Sequence, residues 1–322
     1  MVMRSGFRNE RLLILAYHGV SLYDEHQWNP SLFVTASFLR RRFELIREYG
    51  CSVLPLGEAL DRLYSHSLPE QAIAITFDDG GYNFHEKAFP LITEFDLPVT
   101  LYLTTYYSLF NKPVFPVAAD YLLWEGREQV LDLDRIIGSG GAVSVSDPRL
   151  RKEVQQKIVK YADLSDLSAD GKDMLLASVA EQLSIDYSKF SEERVMSLMN
   201  LSEVANISRG GVDIQLHTHR HRVPDDHDLF MREIRENTAI IESVTGIQPN
   251  HFCYPSGEYS DKFFPWLREA GIASATTCDT ALTDAETDRF LIPRLVDTMQ
   301  LSDVEFEGWL TGVSNFLPQR SR

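Results

Sequence analysis

The sequence has few cysteines and no long apolar segment near its start. Its 322 residues include three cysteines, Cys51, Cys253 and Cys278, an odd number without Cys-x-x-Cys spacing. This pattern argues against a disulfide framework or a structural zinc cluster and favours a reducing compartment. The apolar run at residues 12–17 is far shorter than a signal-peptide core or a membrane span. We therefore expect a cytoplasmic protein with no membrane span.

Basic residues are too few to balance the acidic ones. The chain has 31 Lys and Arg against 47 Asp and Glu, which gives a formal net charge of −16. A surface of this sign argues against nucleic acid or an anionic membrane as the main partner, and it disfavours a strongly anionic polymer as substrate. The hydrophobic content of 44% is ordinary for a soluble globular protein, and the length allows one large or two small domains, with α/β barrels often using this length as one domain.

A strand-like run that ends in two adjacent acids is the first functional signal. Residues 73–80 read Ile-Ala-Ile-Thr-Phe-Asp-Asp-Gly, and β-branched and aromatic residues favour a strand. Because side chains alternate along a strand, Asp78 and Asp79 are expected at its C-terminal end, pointing in different directions and able to take separate roles. An Asp-Gly turn that merely ends a strand would account for the pair equally well.

A second strand-like run, residues 211–216, leads into a histidine cluster. Residues 217–221 read His-Thr-His-Arg-His. His217 and His221 are four apart, a spacing that puts both imidazoles on one face of a helical turn. Two imidazoles and one carboxylate are a good ligand set for Zn²⁺ or a similar divalent ion, with positions left for water and substrate. The cluster therefore favours a metal site over structural histidines.

These two stretches together resemble the NodB-homology polysaccharide deacetylases, carbohydrate esterase family 4. Residues 76–80 match the family motif Thr-Phe-Asp-Asp-Gly, and residues 217–221 match His-Ser/Thr-x-x-His, which makes His219 an intervening residue. The resemblance runs from about residue 12 to residue 310, apart from a middle insertion. It implies a metal-dependent N-deacetylase that hydrolyses the acetamide of an N-acetylated sugar, in a glycan or a glycan intermediate, to free amine and acetate.

The alternation of strand-like and helix-like segments predicts the fold. Residues 31–49, for example, predict a helix capped by Thr35. Such alternation is typical of parallel βαβ units, and we predict a distorted (β/α)7-8 barrel of the NodB type, with its chemistry at the C-terminal strand ends. Residues of about 106–208 lack strong strands and predict a helical insertion that forms a lid or a partner surface. We expect one domain over 1–322 and leave a homo-oligomer open.

The resemblance also implies the roles of the site residues. Asp79, His217 and His221 correspond to the metal ligands, and Asp78 corresponds to the general base that activates water. Zn²⁺ is the expected ion, with Co²⁺, Ni²⁺ and Mn²⁺ as alternatives. Such an ion acidifies water and polarises a carbonyl oxygen.

The third family motif, Arg-x-Pro-Tyr/Phe-Gly, departs from its usual form. Residues 253–257 read Cys-Tyr-Pro-Ser-Gly here. The Tyr-Pro-x-Gly form resembles a subgroup of exopolysaccharide and surface-glycan deacetylases. By this resemblance the backbone N–H of Ser256 completes the oxyanion hole, and Tyr254 and Pro255 contact substrate.

Two family roles lack their usual residue. The arginine position is occupied by Cys253, so the cation beside Asp78 must come from elsewhere. Arg294, at another predicted strand end, is the candidate, and a surface or ion-pair arginine is the alternative. The C-terminal Leu-x-x-His that supplies the catalytic acid is also absent, since the last histidine is His251. Circularly permuted relatives carry this histidine on an N-terminal Tyr-His dipeptide, which His18 matches.

Two other functions stay open. Some barrel relatives hydrolyse a non-sugar amide or imide, and a decayed site would leave an inactive glycan-binding protein. The second alternative is weaker because the base and all three ligand positions are present. The expected cytoplasmic location favours a nucleotide- or lipid-linked intermediate over a mature polymer.

Overall fold

The computed structural model describes residues 6–110 and 112–316, so the predicted domain limits at 1 and 322 lie outside it. The chain divides into two compact units. The barrel unit comprises the residues up to 106 and those from 201 onward, and the helical unit comprises residues 107–200.

The described strands are short and numbered in chain order. They are β1 (Leu13–Tyr17), β2 (Gly19–Val20), β3 (Phe33–Val34), β4 (Ser52–Val53), β5 (Ala72–Phe77), β6 (Thr100–Leu103), β7 (Val130–Asp132), β8 (Ala142–Ser144), β9 (Asp213–Leu216), β10 (His251–Cys253), β11 (Ser274–Thr276) and β12 (Leu295–Val296). Eight of these described strands form one parallel sheet in the order β11-β10-β9-β6-β5-β1-β12, with β4 also paired to β5. A parallel bridge between Thr276 and Ile292 links β11 to the residues just before β12. The sheet is therefore curled, and the predicted distorted α/β barrel is confirmed.

The described helices are also numbered in chain order. They are α1 (Gly6–Asn9), α2 (Glu25–Trp28), α3 (Ala36–Glu48), α4 (Leu56–Tyr64), α5 (Phe89–Phe95), α6 (Phe115–Glu125), α7 (Leu133–Ile137), α8 (Pro148–Leu164), α9 (Ala169–Gln182), α10 (Tyr187–Glu192), α11 (Leu201–Arg209), α12 (His227–Thr245), α13 (Phe263–Glu269) and α14 (Asp303–Thr311). As predicted, Thr35 caps α3, with its side chain accepting from the N–H of Phe38 at 3.1 Å. Gly246 ends α12 in the left-handed conformation, φ 73°.

The central strands are buried along their whole length. All residues of β1, β5 and β6 are buried, which is usual for parallel strands covered on both faces. The register pairs Tyr17 with Phe77, Leu103 with Leu216, and Leu216 with Phe252. The residues that follow β1, β5, β9 and β10 therefore share one edge of the sheet.

The helical unit has its own core. α6 packs against α8 and α9, and the buried side chains include Leu122, Val154, Ile158, Leu176 and Val179. An antiparallel pair, β7 with β8, is also present, and its three-residue strands are too short for sequence periodicity to reveal. Among residues 6–110 and 112–316, no helix has the length and apolar character needed to cross a bilayer.

Candidate active site

Three side chains from two distant stretches converge at the carboxyl edge of the sheet. Asp79 follows β5, and His217 and His221 follow β9. Oδ1 of Asp79 lies 3.3 Å from Nε2 of His217 and 3.2 Å from Nε2 of His221. The three donor atoms all lie within 4.8 Å of one another.

The arrangement of these atoms fits a divalent ion. Oδ1 of Asp79 is buried and has no hydrogen-bond partner among the described residues, although the rest of the side chain is partly open to solvent. Nδ1 of His217 lies 2.9 Å from the carbonyl oxygen of Cys253. Because a carbonyl only accepts, Nδ1 carries the proton, and in the neutral imidazole Nε2 then presents its lone pair to Asp79. An imidazole lone pair and a carboxylate oxygen repel at this distance, and a cation between them removes the repulsion.

The electrostatics keep Asp79 in the ligand form. Burial raises the pKa of Asp79, but the positive charge of the neighbouring imidazoles in their protonated form, His221 foremost, outweighs burial and holds this pKa well below its ordinary value. The Asp-Gly turn considered as the alternative is also present, since Asp79 and Gly80 have φ values of 70° and 87°. The turn and the ligand cluster therefore coexist at the end of β5.

Asp78 lies in a different environment, paired with Arg294. Nη1 of Arg294 donates to Oδ1 at 2.7 Å and Nη2 donates to Oδ2 at 2.8 Å, and both side chains are almost fully buried. Arg294 is therefore no surface residue, and its Nε and Nη1 also donate to Thr277 and Thr76. Burial raises the pKa of Asp78, but Arg294 reverses this and brings it to about 2. Asp78 is thus ionised at neutral pH.

Cys253 stands where the family motif has arginine. Its Sγ lies 3.0 Å from Nη2 of Arg294 and 3.6 Å from Oδ2 of Asp78. Burial raises the pKa of the Cys253 thiol, so the sulfur is uncharged. Asp78, His217 and Cys253 also place donor atoms within 4.8 Å of one another. Both oxygens of Asp78 are taken by Arg294, so this second set is a poorer ligand set than the one at Asp79.

His18 lies at the end of β1, beside the Asp78 pair. Its Nε2 is 3.7 Å from Oδ2 of Asp78, and its side chain is 18% exposed. The imidazole is therefore close to the proposed base and accessible from solvent. Its role as catalytic acid stays a prediction.

The motif around Ser256 forms a tight turn. Ser256 is exposed with φ 57°, and the following amides, of Gly257 and Glu258, donate to the carbonyls of Tyr254 and Pro255. The Tyr254 ring is fully buried and packs edge-on against a neighbouring phenylalanine, so it presents no face to a ligand here. The oxyanion role of Ser256 and the substrate contacts of Tyr254 and Pro255 stay predictions.

Two residues that the sequence did not single out lie behind the histidines. Glu233 and Asn237 are fully buried on α12 and hydrogen-bond to the histidine segment. They share the buried face of this helix with Phe230, Ile234 and Ile241. Polar residues at the spacing of an apolar stripe were the available signal, because buried polar groups need partners.

Comparisons with known proteins agree with this geometry. A family model described as polysaccharide deacetylase matches residues 186–275, a segment that includes the histidine cluster but not the two acids. The structure of the deacetylase PplD from Streptococcus pyogenes matches with a TM-score of 0.61 and 14% identity, over 96% of this chain and 99% of that one. IcaB from Ammonifex degensii matches with a TM-score of 0.60 and 15% identity, over 94% and 97%. Residues 186–275 thus match the polysaccharide deacetylase family, and the fold of the chain is similar to that of NodB-type deacetylases. At these identities, the likeness to the solved structures concerns the fold.

The family comprises hydrolases that act on non-peptide carbon–nitrogen bonds. A curated relative, the poly-β-1,6-N-acetyl-D-glucosamine N-deacetylase of Escherichia coli K12, is 31% identical over 85 residues. The aligned segment spans 26% of this chain and only 12% of that relative. The predicted family is thus confirmed, and the predicted ligand residues lie together in the fold that the family shares.

Proposed function

We propose that this chain removes acetyl groups from N-acetylhexosamine units of a glycan, with the help of a divalent ion. Membership of the polysaccharide deacetylase family supports de-N-acetylation of a polysaccharide. The observation that carries the finer proposal is Oδ1 of Asp79, which has no hydrogen-bond partner in the described part of the chain and faces Nε2 of His217 and of His221. A separate ionised carboxylate, Asp78, lies beside this cluster.

Asp78 is suited to accept a proton from water. Its carboxylate is held in one orientation by the two hydrogen bonds from Arg294, so little reorganisation is needed when water reacts. A group with a pKa of about 2 is a weak base. A divalent ion held by Asp79, His217 and His221 would acidify water and polarise the acetamide carbonyl, which makes so weak a base sufficient.

His18 is suited to return a proton to the departing nitrogen. As the water oxygen bonds to the acetyl carbon, one proton passes to Asp78, and the carbon–nitrogen bond then breaks. The amine needs a proton to leave, and the 3.7 Å distance from Nε2 of His18 to Asp78 supports this imidazole as the donor, with the proton on Asp78 replacing the one that His18 gives up. The backbone N–H of Ser256 would donate to the oxyanion. The products are acetate and a free amine.

The choice of sugar follows from charge and from the relatives. The curated relatives are named for poly-β-1,6-N-acetyl-D-glucosamine, so this linkage is the first to test. The net charge of −16 suits a neutral substrate whose product becomes cationic. It is unsuited to a strongly anionic polymer.

Acetate release from a panel of acetylated sugars tests the proposal. The panel contains β-1,6-linked N-acetylglucosamine oligomers, single N-acetylhexosamines and their nucleotide-linked forms. We expect release from at least one of them, loss of activity with a chelator, and recovery with added Zn²⁺, Co²⁺, Ni²⁺ or Mn²⁺. Release of acetate from none of these sugars would refute the proposal. Turnover of a cyclic imide would then support the amidase or imidase alternative, and binding of a glycan without turnover would support the inactive glycan-binding protein.

A further inference from the structure

The segment that carries both histidine ligands has a strained backbone. Residues 217–222, here called the ligand loop, include Thr218 with φ 61° and His221 with φ 52°. Non-glycine residues rarely adopt this left-handed conformation, and a β-branched residue such as threonine adopts it least. Such conformations persist only where surrounding contacts hold them. The contacts that hold the ligand loop therefore bear on the positions of its imidazoles.

Glu233 of α12 holds the ligand loop from behind. Its side chain is fully buried. Oε2 accepts from the backbone N–H of Arg220 at 2.8 Å, and Oε1 accepts from Nη1 of Arg220 at 3.1 Å and from Nε of Arg222 at 2.8 Å. One carboxylate thus receives three donors from the ligand loop. Two guanidinium groups compensate its burial, which an unpaired carboxylate could not tolerate.

Asn237, one helical turn later, ties the first ligand to the sheet. Its Oδ1 accepts from the backbone N–H of His217 at 3.0 Å, and its Nδ2 donates to the carbonyl of Leu103 and to Oγ1 of Thr105, both at 3.0 Å. The amide orientation is unambiguous, because the backbone N–H can only donate and the backbone carbonyl can only accept. Asn237 therefore links a ligand residue directly to β6.

The contacts of Asn237 also account for the hydrogen bonds of His219, the third histidine of the cluster. Since Oγ1 of Thr105 accepts from Asn237, its own hydrogen is available to Nδ1 of His219, 2.8 Å away. Nδ1 of His219 is then an acceptor, and its Nε2 carries the proton and faces Glu236 at 3.7 Å. His219 thus belongs to the support of the ligand loop and is not placed to join the ligands.

We infer that Glu233 and Asn237 are positioning residues, which set the geometry of the metal ligands His217 and His221 through the backbone of the ligand loop. This inference rests on the proposed function, because it assumes that these histidines bind an ion. Partners behind metal ligands commonly contribute a large factor to metal affinity. Disturbing them should lower the affinity for the ion while the ligands themselves are intact.

The test compares two isosteric substitutions on the same helix in the full chain. Glu233→Gln removes the charge and places an amide hydrogen against the donors of the ligand loop. We expect the affinity for Zn²⁺, measured by competition with a chromophoric chelator, to fall by about 10- to 100-fold. Glu242→Gln, an exposed position of α12, is the matched control and should leave the affinity unchanged.

A second variant keeps the inference testable if Glu233→Gln does not fold. Arg222 is half exposed, so Arg222→Gln removes one donor of Glu233 without opening the core. We expect a smaller fall in Zn²⁺ affinity, an unchanged Tm of the metal-free chain, and recovery of the rate at saturating Zn²⁺. Zn²⁺ affinity equal to the control in both variants would overturn the inference, as would a parent chain that binds no divalent ion.

These readouts separate the inference from the proposed function. Zn²⁺ affinity is measured without substrate. A chain that binds Zn²⁺ but releases no acetate from any sugar would refute the deacetylase proposal, and the comparison of Glu233→Gln with Glu242→Gln would still decide whether α12 positions the ligands.

Discussion

Asp78 and Asp79 are neighbours in sequence, yet different groups surround their carboxylates. Both oxygens of Asp78 receive hydrogen bonds from Arg294, a cation that the chain itself supplies. Oδ1 of Asp79 is buried with no partner among the described residues and faces two imidazole nitrogens. Under the proposed function, Asp78 therefore has its cation within the chain, whereas Asp79 and the two histidines need an added cation.

This difference teaches how one strand end can supply two functions. A guanidinium cannot leave, so Asp78 keeps its charge and orientation and cannot easily become a ligand. An ion can exchange, so Asp79 remains available to coordinate it. Substitutions on the two sides should consequently separate metal binding from turnover.

Asp79→Asn should have the largest effect, because it removes the anionic ligand. We expect loss of bound divalent ion and a fall in acetate release of about 10⁴-fold. Metal analysis of the purified protein and an acetate assay measure both. Asp61→Asn, at an exposed position of α4, is the control, and full metal content in Asp79→Asn would contradict the ligand assignment.

Asp78→Asn should abolish most of the turnover without affecting metal binding. The variant is expected to keep the divalent ion and to lose about 10³-fold in acetate release, because the proton acceptor is gone. The same two measurements apply. Turnover equal to that of the parent chain would remove Asp78 as the base, and loss of the ion would show that the two acids are not separate.

His18→Gln should have a smaller effect on turnover alone. We expect a fall of about 10²-fold in kcat, since the leaving amine loses its proton donor, with the bound ion unchanged. Steady-state kinetics measure this. His66→Gln, at an exposed position, serves as the control, and an undiminished kcat in His18→Gln would end the proposal that His18 is the acid.

Arg294→Gln should have the smallest effect near neutral pH and a clear effect in acid. Burial raises the pKa of Asp78, and Arg294 outweighs burial and brings this pKa to about 2. Without the guanidinium, the effect of burial is opposed only by the smaller effects of His18 and His217, so the pKa of Asp78 rises. The carboxylate is then protonated at higher pH, and the acidic limb of kcat/KM moves upward, with a loss of about tenfold at neutral pH. A pH–rate profile above about pH 4 measures this shift.

The double variant Cys253→Arg with Arg294→Gln tests whether an arginine at position 253 can replace Arg294 beside Asp78. Position 253 is where the family motif has its arginine, and Sγ of Cys253 already lies 3.6 Å from Asp78. We expect the second arginine to return the acidic limb towards lower pH and to restore part of the rate. An unchanged profile in Arg294→Gln alone would contradict the assignment of Arg294 as the cation that acts on Asp78.

Local patterns allowed the fold and the ligand cluster to be predicted. The strand ending in Asp78 and Asp79 follows from β-branched residues before a glycine, and the start of α3 at Thr35 follows from its capping side chain. The paired motifs then indicated the family. Arg294 was named only as a candidate, because no neighbour in sequence indicates which strand end its side chain meets.

The sequence by itself determined the strand ends, the helix caps and the residue types that can bind an ion, because these depend on each residue and its near neighbours. Only the tertiary structure decided which groups meet. It brought Arg294 to Asp78 and left Oδ1 of Asp79 without a hydrogen-bond partner among residues 6–110 and 112–316. It also placed Glu233 and Asn237 behind the histidines. Such contacts join residues far apart in the chain, and they are set by the packing of a whole sheet and its helices, which no local pattern specifies.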